Sequence, residues 1–295
     1  MKITAPLLAC LFLAMPQVRA NAQRKVAVRH AVEPAVSVRL FGSFAELRII
    51  GWDRDTVAVT GSVPADARFE SSFGPNMAAA RGAKMYLESA SGTAGGKLEL
   101  RVPAGARVWA KSGSADIEVT GIVGGLDLNI VGGRVKVSGN PRELNVESMD
   151  GNVVIDGAPG WLRAKTATGD IDLAGGSGDA VLTTISGAIR VGGGLFERAK
   201  IESVTGAVVF AGDLARGASL DINTHSGGIE LRLARRSGAE LDVATVTGTI
   251  ENSLTGRAAL PGREGRGQEI GLSLGEGGAR VYVRSFKGSI QLRQR

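Results

Sequence analysis

The stretch Thr166-Ala167-Thr168-Gly169-Asp170-Ile171 decides the fold, because its pattern returns along the chain at an almost constant interval. In each copy a small residue is followed by apolar residues two and four positions later, with Asn252 the one exception, and successive copies are 18, 18, 18, 18, 19, 21, 21 and 40 residues apart. The small residue is Ala115, Gly133, Gly151, Gly169, Gly187, Gly206, Gly227, Gly248 or Gly288. Periods of this size are typical of stacked supersecondary units. The repeat therefore predicts an architecture, although a repeated scaffold specifies no chemistry by itself.

With the small residue of each repeat as position 0, a second apolar pair falls at positions −7 and −5, nine residues before the pair at +2 and +4. Apolar residues two apart indicate strands with one inward face. Each coil then holds two short strands, and each strand lies parallel to its equivalent one period later, about 4.8 Å away. The pattern predicts an all-β fold, a single-stranded parallel β-solenoid (β-helix) with coils of 18–21 residues. Hexapeptide left-handed helices, which include acyltransferases, are excluded because they need an aliphatic residue every six positions.

A row of hydroxyl residues occupies position −3 in nearly every coil. Its members are Ser112, Ser148, Thr166, Thr184, Ser203, Thr224, Thr245 and Ser285, interrupted by Ile130. Stacked hydroxyls can bond to one another or to turn backbone. Because turn chemistry already explains these residue types, we predict a structural corner rather than a binding strip.

Residues 1–22 have the features of a signal peptide. Lys2 gives a positive start, residues 5–15 are apolar, and Ala20-Asn21-Ala22 offers small residues for cleavage. The apolar run is shorter than the roughly 20 residues of a membrane span, and no later segment could cross a bilayer. We therefore expect export, to the periplasm, the cell surface or the medium.

The mature chain is expected to form one β-solenoid domain over residues 23–295, with regular coils over residues 108–292. Looser insertions are predicted near residues 65–96 and 253–279, where glycine and small polar residues dominate.

The two ends of the solenoid need covering, because open ends expose unpaired strand edges. The strand-like residues 24–63 are expected to cap one end. At the other end we predict a degenerate coil around Ile270–Leu274, followed by Arg280–Leu292 as the last coil.

Composition excludes several classes of protein. Aromatic residues make up 4% and glycine 43 of the 295 residues, which suits a slim aliphatic core. Without Lys2 and Arg19 the mature chain has 33 basic and 29 acidic residues, a net charge of +4, and the basic residues are scattered. Nucleic-acid binding is excluded, since it needs a clustered basic face.

Cys10 is the only cysteine, so the mature chain has no disulfide and no thiol ligand. Lipidation of Cys10 is an alternative to simple cleavage of the signal peptide.

Three motifs occur in a fixed order. The first is Gly51-Trp52-Asp53 with the nearby Val57-Ala58-Val59, and the second is Leu100-Arg101-Val102-Pro103-Ala104-Gly105-Ala106. The third is the repeated Ser/Thr-x-x-Gly-x-Ile/Val motif of the coils. In this order they resemble the bacterial DUF4097 family, whose members are described as putative adhesins with a β-solenoid fold. The resemblance covers residues 24–295, nearly the whole mature chain. It implies the fold and an adhesin-like role, and it brings no catalytic residues that could be transferred.

Carboxylates are the serious catalytic candidates. Asp170 and Asp172 share one outward strand face, and Asp150 and Asp156 lie one coil earlier. Stacked acids cleave sugar bonds in some β-helix enzymes, one as acid and the other as base or nucleophile. Exposed acids on strands more commonly serve solvation and edge control. We therefore predict no catalytic residue.

Other residues give weaker indications of a site. Trp109 and Trp161 fall outside the inward pair, and exposed tryptophans would indicate a ligand. His30 lies in the N-terminal stretch, and His225 at position −2 is expected to be a partly buried turn residue. No histidine cluster or phosphate loop is present, and Gly175-Gly176-Ser177-Gly178-Asp179 is a single copy of a calcium repeat that works in tandem. No metal, cofactor or cofactor-binding residue is predicted.

Together these features predict an exported, non-enzymatic cell-envelope protein, a putative adhesin or an assembly scaffold. Its expected partner is a protein or glycan of the envelope, with self-association through solenoid edges as a further option. Two alternatives stay open: a carbohydrate-active β-helix enzyme that uses stacked aspartates, and a periplasmic accessory protein that binds an envelope protein.

Overall fold

The computed structural model describes residues 23–74, 82–89, 95–234, 237–262, 265–276 and 278–295. The predicted signal peptide, with Cys10, lies outside them. No helix in this part of the chain is long and apolar enough to cross a membrane. Its regular structure consists of the strands β1 Gln23–Ala31, β2 Ser37–Gly42, β3 Phe44–Trp52, β4 Thr56–Pro64, β5 Ala67–Gly74, β6 Gly82–Ser89, β7 Gly96–Pro103, β8 Arg107–Thr120, β9 Gly125–Ser138, β10 Glu143–Ser148, β11 Asn152–Gly157, β12 Trp161–Lys165, β13 Ile171–Gly175, β14 Ser177–Thr184, β15 Ile189–Ser203, β16 Val208–Thr224, β17 Ile229–Leu233, β18 Ala239–Thr245, β19 Ile250–Asn252, β20 Leu260–Pro261, β21 Gln268–Leu274, β22 Ala279–Ser285 and β23 Ile290–Gln294.

Between β8 and β17 the coils stack as the repeat predicts. Ile171 lies beside Val153 on one side and Ile189 on the other, in parallel strands. Leu144 lies beside Leu162 in the facing stack. Both apolar pairs of each coil are buried, and fully burying one such side chain contributes about 1.5–3 kcal/mol. The predicted all-β parallel β-solenoid is confirmed.

The hydroxyl row at position −3 closes one corner of the coil. Its eight members are all buried. The amide of Gly187 donates to Thr184 Oγ1 at 3.1 Å, and Thr166 Oγ1 donates to the carbonyl of Gly169 at 2.5 Å. Six of the eight hydroxyls bond to the backbone of the following turn, in agreement with the predicted structural corner. Ser112 Oγ instead accepts from the amide of Phe44, and Ser203 Oγ is buried without a hydrogen-bond partner in the part of the chain that the structure describes.

The glycines at position 0 are required by the close approach of successive coils. A Cβ on Gly187 would lie 2.0 Å from the carbonyl oxygen of Gly169, and a Cβ on Gly169 would lie 2.1 Å from that of Gly151. Real Cβ atoms do not approach backbone oxygens this closely, so any larger residue would push the coils apart.

The C-terminal end departs from the predicted order of coils. β22 pairs in parallel with both β16 and β18, and β23 pairs with both β17 and β19. The coil of β22 and β23, last in sequence, therefore lies between the two coils that precede it. The prediction that each strand lies beside its equivalent one period later is wrong at this end. The 40-residue interval between Gly248 and Gly288 corresponds to two periods, but its length does not indicate the order of the coils along the stack.

A capping strand replaces the predicted degenerate coil. β21, which contains Ile270–Leu274, runs antiparallel to β18, and β20 runs antiparallel to β21. The prediction of a coil was wrong here because alternating apolar residues fit a parallel or an antiparallel neighbour equally well.

The N-terminal end has the same inserted arrangement. β2 pairs in parallel with β6 and β8, and β3 pairs with β7 and β8. β4 is antiparallel to β7, β1 to β4, and β5 to β6. The predicted N-terminal cap is therefore present. The region near residues 65–96, predicted to be loose, contributes β5 and β6, because Ala83, Met85 and Leu87 alternate inward and are buried.

Candidate functional site

An open groove lies on the outer face of the sheet formed by β2, β8, β9, β10 and β12. Side chains alternate between the two faces of a strand, so residues at positions −8, −6 and −4 point outward here. The groove has a volume of about 550 Å³. Its lining consists of Ser37, Arg39, Phe41, Arg107, Trp109, Gly125, Leu126, Asp127, Glu143, Asn145, Trp161 and Arg163. We refer to it as the aromatic groove.

One wall of the aromatic groove is a cluster of rings from three adjacent coils. Phe41 of β2 lies between its two neighbours: the ring centroids are 4.5 Å apart to Trp109 of β8 and 5.1 Å apart to Tyr86 of β6. Phe41 and Tyr86 are stacked with an interplanar angle of 10°. Trp161 lies three coils from Trp109 and is 40% exposed. Flat ring faces therefore border the groove at two places along the solenoid axis.

The middle of the groove is polar. Asn129 Nδ2 and Asn145 Nδ2 donate to Asp127 Oδ1 at 2.7 and 3.1 Å. Arg107 Nη2 donates to Glu143 Oε2 at 2.9 Å. This ion pair spans Gly125, which lies on the coil between them. Because Gly125 has no side chain, the surface is depressed at this point.

The candidate acids Asp170 and Asp172 share one arginine. Arg190 Nη1 donates to Asp170 Oδ2 at 3.0 Å and to Asp172 Oδ1 at 3.1 Å. The amide of Ala188 also donates to Asp170, and this bond, together with Arg190, holds the pKa of Asp170 below its usual value against a smaller effect of burial. A general acid needs a raised pKa, so Asp170 is unsuited to protonate a leaving group.

The other acids predicted one coil earlier are separate from these two. Asp150 accepts a hydrogen bond from the Thr168 hydroxyl at 3.0 Å. Asp156 is exposed and lies beside Ala174, not beside an acid, on the next coil. The structure therefore offers Asp150 and Asp156 no shared role with Asp170 and Asp172.

The histidines and the glycine-rich segment have structural partners. His225 is exposed, so the expectation of partial burial was wrong, and its ring stacks on Phe286 with centroids 5.1 Å apart. His30 stacks on Phe73 at 4.4 Å. Asp179 of the glycine-rich segment pairs with Arg198. Among the described residues, no group of three His, Cys, Asp or Glu side chains is arranged to hold a metal ion.

The alternation of inward and outward positions along a strand correctly predicts that two of the groove residues do not point into the core. Trp161 is exposed and Trp109 half-buried, as their positions outside the inward pair indicate. Phe41, Tyr86 and Arg39 were missed, because they reach the groove only through the insertion of β2 between β6 and β8. The alternation in Val36-Ser37-Val38-Arg39-Leu40 predicts that Arg39 points outward, but it does not indicate which coil lies beside it.

One sequence family and two solved structures are similar to this chain. The sequence model of one family, described as Toastrack DUF4097, matches residues 54–292. A putative adhesin from Bacteroides fragilis shares 10% identity over 92% of this chain and 98% of that chain, with a TM-score of 0.42. A putative cell adhesion protein from Clostridium sporogenes shares 12% identity over 92% of this chain and all of that one, with a TM-score of 0.21. No curated protein matches the chain.

Proposed function

Because the chain belongs to the DUF4097 (Toastrack) family, we propose that it is an exported, non-enzymatic cell-envelope solenoid that binds a partner in the aromatic groove. The observation that carries this proposal is the concentration of rings at one place. Four of the thirteen aromatic residues of the chain, Phe41, Tyr86, Trp109 and Trp161, lie in or against this groove. Two of them, Tyr86 and Trp161, keep at least 40% of their surface exposed. Exposed apolar surface rimmed by polar groups marks interaction sites.

The chemistry of the groove favours a glycan as the partner. Sugar rings present flat C–H faces that stack on aromatic rings, and their hydroxyls bond to amides, carboxylates and guanidinium groups. Trp109 and Trp161 offer the ring faces, while Asp127, Asn145 and Arg163 offer the polar groups. An open groove along several coils suits a chain of sugar units better than a small molecule, which prefers an enclosed pocket.

Binding to a panel of purified envelope polysaccharides tests the glycan. Trp161→Ala should raise the dissociation constant for the bound polysaccharide at least tenfold, because a stacking face is lost. Tyr282→Ala is the matched control: Tyr282 is also 40% exposed and also points outward from this sheet, at position −6, but in the last coil of the sequence. Equal losses in both variants, or no binding to any polysaccharide, would contradict a glycan in this groove.

Protease shaving of intact cells tests export and location. Digestion of the mature chain without lysis supports a surface-exposed, adhesive solenoid. Protection until the outer membrane is opened supports the alternative of a periplasmic accessory protein. Recovery of the chain with its residues 1–22 intact in the cytoplasmic fraction would contradict export.

A further inference from the structure

A line of exposed apolar side chains runs along one corner of the solenoid, at position −2 of successive coils. Its large members are 43–57% exposed: Val131, Met149, Ile185, Val204, Phe286 and Val246. We refer to this line as the apolar ridge. Ala167 and the exposed His225 complete it in the two coils that remain between these. A continuous apolar line of this kind, in contrast to scattered single residues, marks a contact surface.

The apolar ridge is flanked by charged residues at position −4. Over six consecutive coils this flanking row reads Lys111, Asn129, Glu147, Lys165, Thr183 and Glu202. One shallow depression is lined by Lys111, Glu147 and Lys165 together with Val131, Met149 and Ala167, so the two rows lie side by side. Any partner that covers the ridge must therefore also match these charges.

We propose that the apolar ridge binds a second copy of this chain, with the two solenoids antiparallel. The two-fold axis is perpendicular to the solenoid axis and passes between the coils of Met149 and Ala167. Such an axis places each row against the same row of the other copy, in reverse order. An interface of this type uses one patch on both copies, so the patch must be complementary to itself.

The ridge and its flanking row meet this condition. Reversal about the axis opposes Met149 to the partner's Ala167 and Val131 to the partner's Ile185, so the longest side chain of the ridge meets the smallest. It also opposes Glu147 to the partner's Lys165 and Lys111 to the partner's Glu202. Every charge of the row between Lys111 and Glu202 therefore meets an opposite charge, which favours this arrangement over others.

A parallel arrangement of the two copies is disfavoured by the same charges. A two-fold axis along the solenoid would place position −4 against position −1 of the same coil in the other copy. Glu147 would then face the partner's Asp150, and Arg284 would face the partner's Lys287. Like charges in these places oppose association.

The antiparallel pair leaves most of each aromatic groove open. Except for Phe41, which lies beside Lys111 at position −4, the outward residues that line the groove stand at positions −8 and −6, whereas the contact uses positions −4 and −2. The two-fold axis keeps both grooves on one side of the pair, so one long polymer or one surface could occupy both and gain avidity. The pairing itself does not depend on what the groove binds.

Sedimentation velocity over a range of concentrations tests the pairing. We expect the mature wild-type chain to form dimers and Met149→Asp to raise the dimer dissociation constant at least a hundredfold, because a charge would be desolvated against apolar side chains. Leu195→Asp is the matched control: Leu195 is 55% exposed and lies at the opposite corner of the coil, so its variant should dimerise as the wild type does. A wild type that stays monomeric at its solubility limit, or a Met149→Asp variant that still dimerises normally, would overturn the proposal.

A charge exchange tests the antiparallel order. Glu147→Lys and Lys165→Glu should each weaken the dimer about tenfold or more, since each places like charges across the axis. The double variant exchanges both partners and should recover most of the wild-type affinity. If the double variant loses as much dimerisation free energy as the two single variants lose together, this register is wrong.

Discussion

The middle of the solenoid and its two ends are built from the same coils but are assembled differently. Between β8 and β17, the coil that follows in sequence also follows in space. At each end, the coil nearest the chain terminus is not the outermost coil of the stack. The coil of β2 and β3 lies nearer the middle than that of β6 and β7, and the coil of β22 and β23 lies nearer the middle than that of β18 and β19. Periodicity therefore specifies the cross-section of a coil but not its place in the stack.

The inserted coils have a physical advantage. A terminal strand at the outer edge of a sheet has one unpaired side and frays or pairs with other chains. β23 instead has parallel neighbours on both sides. In the outer coils, β18, β7 and β6 are covered by the antiparallel strands β21, β4 and β5. These strands turn back along the ends of the stack and oppose the addition of a further coil there.

The largest effect is expected from a charge placed in the middle of the stack. Ile171 and Ile189 are 0% exposed and contact apolar residues on the coils above and below. Ile171→Asp or Ile189→Asp should abolish cooperative folding, because an unpaired carboxylate would be buried between two coils. Circular dichroism during thermal unfolding measures this. Retention of a cooperative β-rich fold in either variant would show that the register is wrong.

The matched change at an end should do much less. Leu272 lies in the capping strand β21 and is 7% exposed. In a solenoid each unit contacts only its neighbours, so Leu272→Asp should release the cap and leave the middle coils folded. Hydrogen exchange should then rise in β20 and β21 but not in β13.

A smaller effect is expected from a methyl group added between coils. Gly187→Ala would place a Cβ 2.0 Å from the Gly169 carbonyl oxygen and should lower the free energy of unfolding by about 1–3 kcal/mol. Gly113→Ala is the control near the N-terminal end, where no atom lies within 4 Å of the added Cβ. Equal melting temperatures for the two variants would contradict close packing of the glycines in the middle.

The same contrast explains how much the sequence could predict. Ile171 and Ile189 are assigned to one stack because each stands two residues after a repeated glycine. The alternation of side chains along the strand is enough to place Trp161 on the outer face. The neighbours of Val283 could not be assigned in this way: it pairs with Ile222 and Val243, and either is an equally good apolar partner. The aromatic groove was missed for a related reason. Phe41 and Trp109 are far apart in the sequence and become neighbours only because β2 is inserted beside β8.

A pH-dependent effect of less than about 1 kcal/mol is expected from Asp170, which is adjacent to Ile171 in sequence but faces outward. Its pKa is lowered below the ordinary value of 3.8 by the amide of Ala188 and by Arg190. The charged form therefore stabilises the fold above pH 3.8, and this stabilisation is lost as the pH falls through the lowered pKa. The side chain is 38% exposed, so solvent screens the interaction. Asp170→Asn should lower the melting temperature slightly at neutral pH, and the difference should disappear in acid; a difference that persists there would contradict this cause.

Engineered disulfides test the order of the coils with little effect on stability. In a chain with Cys10→Ser, the pair Asp221→Cys and Tyr282→Cys lies on neighbouring parallel strands, about 4.8 Å apart and within the range that a disulfide spans. The pair Asp221→Cys and Asp242→Cys is separated by β22, so its Cα atoms are about 9.6 Å apart. Mild oxidation should link the first pair and not the second, as read by mass spectrometry of the cleaved protein.

The second pair is the decisive control, because Asp242 stands one period of 21 residues after Asp221. A solenoid that simply continued its winding would place these two residues side by side and would link them efficiently. All three residues occupy position −6 and point outward, and Tyr282 and Asp242 are both exposed, so the oxidant reaches both pairs. The outcome therefore depends only on which coil lies next to β16, and efficient linkage of the second pair would show that the C-terminal coil is stacked outside instead of inserted.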